Sequence, residues 1–70
     1  MTVVQIVDGE GNVNVYGYDL PPLKAIKACV IQEVMGIRNF VGKEIDVQII
    51  EAKGSYCYPF GDNCGVWVRK

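Results

Sequence analysis

The chain contains no histidine among its 70 residues. That removes Ser-His-Asp and Cys-His catalysis, the commonest general base, and the commonest zinc ligand. It also has no run of lysines or arginines; seven basic residues against eight acidic ones leave a net charge of -1. The electrostatic footprint of a nucleic-acid or anionic-lipid binder is therefore missing. No apolar stretch approaches the length of a membrane span. The first residues, Met1 to Gln5, lack both a basic region and a long apolar core, so they do not read as a signal peptide. Cysteine is scarce. Three residues are an odd number and too few for a secreted disulfide scaffold, which makes the cytoplasm the expected compartment.

What is present points to one small globular domain, residues 1–70. Half of the residues are apolar. A chain of this length buries only about 60% of its unfolded surface, so its core is thin. Small scaffolds of this kind gain stability from a staple or from association, and self-association is an expectation from length alone.

Residues 3–7 read as a β-strand rich in branched side chains, with Val4 and Ile6 on one face. Residues 8–12, Asp-Gly-Glu-Gly-Asn, supply a turn, and residues 13–18 alternate as a second strand. In that strand Val13 and Val15 are expected to point inward, with Asn14, Tyr16 and Tyr18 on the other side. Asp19-Leu20-Pro21-Pro22 is a helix entry. Asp19 makes a poor N-cap because two of the amides it should accept from fall on prolines, so the helix is expected to begin at Pro21 or Pro22. Leu23, Ile26, Val30 and Val34 then share one helical face, and Gly36 is the natural stop. Ala28, Ile31 and Met35 form a second apolar patch, read as a broadened core-facing surface, with a partner-binding edge as the other reading.

Residues 44–51 alternate again, with Ile45, Val47 and Ile49 inward. Residues 56–58 leave room for an extra short strand, and residues 64–69 form a last strand with Val66 and Val68 inward and Trp67 outward. The expected fold is α+β, of order ββαββ, with one amphipathic helix on a small antiparallel sheet. A single helix covers one sheet face, so the other should display Tyr16, Tyr18, Trp67 and Ile50.

Candidate chemistry is thin. Gly9-x-Gly11 is followed by a strand rather than a helix, so it lacks the N-terminus that phosphate loops need. The carboxylate pairs Asp8/Glu10 and Glu44/Asp46 read as solvated turn and outer-face residues. Cys57 and Cys64 are spaced too widely for a zinc knuckle, and Cys29 lies in the helix, so no metal and no cofactor are expected. A four-residue loop over residues 59–62 would set Cys57 opposite Cys64, within disulfide range, with reduced thiols expected in a cytoplasmic setting.

The expectation is a non-catalytic protein-interaction module: a regulator, inhibitor or subunit whose partner is another protein or a second copy. By analogy of size, phage and mobile-element proteins that block host enzymes belong to this class. Tyr16, Tyr18, Tyr58, Phe60 and Trp67 are its candidate partner-binding residues, because tyrosine and tryptophan dominate binding hot spots. Two other readings are single-stranded nucleic-acid binding on an aromatic sheet face and capture of a small ligand such as a nucleotide at an oligomer interface.

Overall fold

The computed structural model describes residues 1–37 and 46–70. Five strands and one helical segment follow in the order β1 (Thr2–Val7), β2 (Val13–Tyr18), α1 (Pro22–Cys29) continued by a turn of π-helix (Val30–Val34), β3 (Ile50–Ala52), β4 (Ser55–Gly61) and β5 (Cys64–Arg69). The strands form one antiparallel sheet of spatial order β2-β1-β5-β4-β3. The last strand in sequence is thus the central one. The fold is α+β, with residues 56–58 lying within a full strand.

The first hairpin turns on Asp8. Its backbone N–H donates to Asn12 O at 3.0 Å, and its carboxylate Oδ1 accepts from the N–H groups of Glu10 and Asn12, both at 2.9 Å. Closing the turn there pairs Val7 with Val13, and the ladder runs on to Val4 opposite Tyr16 and Thr2 opposite Tyr18. Directly opposed residues share a sheet face. Tyr16 and Tyr18 therefore lie with Val4 on the helix side, and Val13 and Val15 lie outside, the reverse of the inward and outward assignment made from alternation alone. The tyrosines complete the core edge, packed against it as partly buried residues.

The helix begins at Pro22, with Pro21 as a cap that makes no side-chain hydrogen bond. Thr2 Oγ1 donates to Leu20 O at 2.6 Å, tying the helix entry back to the start of β1. At the other end Gly36 takes φ +73, and Ile37 N–H donates to Ile31 O at 3.0 Å. The π turn adds a residue to the ladder, seen as the Met35 N–H to Val30 O bond at 2.9 Å. This widening brings both Val30 and Ile31 into the core, while Met35 faces outward. Leu23, expected to point inward, is instead exposed on the first turn.

Ala25, Ile26, Cys29 and Val30 press on Val4, Ile6, Val66 and Val68, and Val47 closes the same cluster. Val47 and Ile49 do face inward, yet residues 46–49 are not paired as a strand; β3 comprises Ile50–Ala52 alone. Its pairing with β4 ends at Ile50 opposite Cys57. Two residues further along β4 stands Pro59, which has no N–H to offer a ladder. Ile45 and Glu44 lie outside the described residues.

The β4–β5 turn is tighter than the expected four-residue loop. Gly61 pairs with Cys64 across Asp62 and Asn63, and Asn63 takes the left-handed φ of 58. A bulge at Phe60 absorbs the register shift between Pro59 and Gly61. Cys57 consequently pairs with Trp67, not Cys64, and the two cysteines point to opposite faces of the sheet. A Cys57–Cys64 disulfide is excluded by that geometry; all three thiols are free.

Candidate interaction surface on the open sheet face

The helix covers one side of the sheet, and the ladder register defines what remains on the other. One row crosses all five strands: Val15, Gln5, Trp67, Cys57 and Ile50. Toward the β1–β2 turn lies a second row of Val13, Val7, Gly65 and Pro59. Val3 stands with Gly17 on the opposite side of the central row. This surface is open: Val3 is 52% exposed, Val13 54%, Val15 60%, Ile50 52% and Trp67 37%. Large apolar side chains so concentrated on one face of a small chain form a contiguous patch.

Trp67 is lower than the others because its ring rests on the sheet. A Cβ built at Gly65 would stand 2.7 Å from its Cη2. The glycine is buried beneath the indole. Beside the ring, a shallow depression of ≈ 570 Å³ is lined by Met1, Val3, Gln5, Ser55 and Arg69. By strand register, Arg69 is the one charged residue on this face among the described strands.

The candidate residues divide between the two sides. Trp67 lies on the open face and Phe60 protrudes, exposed, at the bulge. Tyr16, Tyr18 and Tyr58 pack against the core under the helix. Tyr18 Oη donates to Gln32 Oε1 at 3.2 Å, and its ionisation is pushed well above the ordinary value of 10.0, first by burial and then by the neighbouring Cys29 thiol. Val13 and Val15 are surface residues that the assumption of inward-pointing valines in β2 concealed.

The thiols occupy three separate environments. Cys29 is buried in the helix, and burial raises its pKa. Cys57, on the open face, is raised for the same reason. Cys64 Sγ donates to Asp62 O at 3.2 Å inside the turn. Activated cysteines need a cationic or helix-terminal setting that lowers the pKa, and the shift on Cys29 and Cys57 runs the other way. No helix among the described residues is long and apolar enough to cross a membrane.

No family model, curated protein or solved structure matches this chain. Its functional reading rests on its own geometry.

Proposed function

We propose that this chain is a small non-catalytic protein-interaction module that binds through the open face of its sheet. The observation that carries the reading is the row Val15, Gln5, Trp67, Cys57 and Ile50, apolar apart from Gln5 and left uncovered by the helix. Burying such a face recovers hydrophobic free energy at about 25 cal/mol per Å², less the cost of association. Trp67 sits in the middle of it, already held against Gly65, so little side-chain freedom is left to lose on binding. The missing histidine and the upward-shifted Cys29 and Cys57 thiols favour binding over catalysis.

Nucleic-acid binding has less support. With Tyr16 and Tyr18 under the helix, the described strands put one aromatic ring, Trp67, and one arginine, Arg69, on the face, short of a base-stacking platform.

A photo-crosslinking amino acid placed at Val15, with Lys24 on the outer helix surface as control, tests the reading in extracts of the native cell. Discrete protein adducts from position 15 and none from position 24 are expected. Equal adducts from both, or none from position 15, would contradict it.

A further inference from the structure

We propose that the depression beside Trp67 is a binding site for a small organic acid, with one carboxylate held by Arg69 and Ser55 and a flat apolar body lying along the indole. This goes beyond the reading of the open face as a protein surface; the two share Val3, Gln5 and Trp67.

The site lies where the two central strands part. β1 stays paired with β2 as far as Thr2, and β5 stays paired with β4 as far as Arg69. Between β1 and β5 the ladder already stops at Val4 opposite Val68. Past that pair the chain end leans away from β1: Lys70 N–H donates to Gly54 O at 2.9 Å, in the β3–β4 turn. The depression of ≈ 570 Å³ sits at this fork, with Val3 on one bank and Arg69 on the other. It also reaches the helix side, where Thr2, Val68 and Pro22 line it. Small-molecule pockets run from about 300 to 1,000 Å³, and this one falls within that range.

Charge and hydrogen-bond donors select the ligand. Two cations, Arg69 and Lys70, line the depression, and no acidic side chain does. Lys70 is already engaged by Glu51 at 2.6 Å. The Arg69 side chain has no ion-pair or hydrogen-bond partner among the described residues. Ser55 stands directly opposite it on β4, and its hydroxyl is likewise unpartnered among those residues. Opposed side chains start about 5 Å apart at Cβ, so the guanidinium fork and the hydroxyl can close on one group. The fork matches the two oxygens of a planar carboxylate. One unengaged cation balances one negative charge, whereas a nucleoside diphosphate would keep most of its charge uncompensated.

The body of the ligand is set by the remaining wall. Met1, Val3 and Trp67 are apolar, and Trp67 precedes Arg69 by two residues on the same face of β5. That places ring and guanidinium about 7 Å apart along the strand. A carboxylate attached directly to a fused aromatic ring spans this distance. The indole offers a π-face for it, and Gln5 flanks the ring across the ladder. Arg69 is exposed, so water screens the ion pair and the affinity should be modest, with a Kd of roughly 0.1–1 mM.

Titration of the full chain with naphthalene-2-carboxylate, followed by amide nitrogen–proton spectra, tests the site. Saturable shifts centred on Val3, Ser55, Trp67 and Arg69 are expected. The neutral 2-naphthalenemethanol and inorganic phosphate should each bind at least about tenfold more weakly. Arg69→Gln, in a chain with unchanged circular dichroism, should weaken the naphthoate about tenfold and leave the alcohol as it was. Equal affinity for naphthoate and alcohol overturns the carboxylate site. Phosphate bound as tightly as naphthoate overturns the apolar body. Shifts centred elsewhere, or no saturation up to ~10 mM, overturn the depression as a ligand site.

Discussion

The indole of Trp67 lies against Gly65, with Cζ2 and Cζ3 each 3.1 Å from where a glycine Cβ would stand. A Cβ at Gly65 would meet the far end of the indole, which can tilt away from the sheet. Gly65→Ala should therefore change stability by less than about 1 kcal/mol, as the gain in strand propensity offsets the displaced ring. It should nevertheless shift Trp67 emission to longer wavelength. Urea melts and fluorescence spectra of the variant check both. A large loss of stability would show that the ring is part of the core.

The core itself is asymmetric along the helix. Ile26 is inaccessible, whereas Leu23 is 39% exposed. Ile26→Ala should cost about 2–5 kcal/mol and Leu23→Ala well under 1 kcal/mol. Val30→Asp, which buries an unpaired charge, should unfold the chain. Thermal melts of the three variants give the ranking.

The helix stop at Gly36 depends on a backbone that other residues adopt with strain. With φ at +73, Gly36→Ala should destabilise by about 1–2 kcal/mol, although its Cβ would meet nothing within 4 Å. A melt matching the parent would mean that the cap contributes little.

Tyr18 and Cys29 make stability fall at alkaline pH. Burial raises both ionisations in the folded chain, above ordinary values of 10.0 and 9.0. A group whose folded pKa is raised contributes fully below its unfolded pKa, and the contribution is lost as pH rises through the folded value. Urea midpoints should be level just below pH 9.0 and decline beyond pH 10.0. Tyr18→Phe should flatten that decline while losing the Gln32 hydrogen bond.

Much of this architecture is legible in the sequence, for identifiable reasons. The proline entry and the Gly36 stop follow from backbone chemistry, and the strand over residues 64–69 follows from its alternation. The tyrosine face does not, because alternation gives two faces without saying which is inward. Turn length carries the missing information: a turn over residues 8–12 pairs Val7 with Val13 and so fixes Tyr16 beside Val4. The Cys57 register fails for a related reason. A bulge at Phe60 displaces the ladder by one residue, and nothing local to the sequence announces it. Val47 and Ile49 alternate like a strand because they bury alternate side chains, yet Pro59 stands where the ladder would have to continue. For the candidate site, Trp67 was readable as outward-facing, whereas Val13 and Val15 became visible only through register.

The central claim is that the uncovered side of the sheet, and not the helix, is the binding surface. Amide nitrogen–proton spectra of the labelled chain, recorded with and without native-cell extract, test it most directly, residue by residue. The account predicts line broadening or shifts centred on Val3, Val15, Trp67 and Ile50, with Lys24 and Lys27 on the helix unmoved. Changes confined to the helix would contradict it.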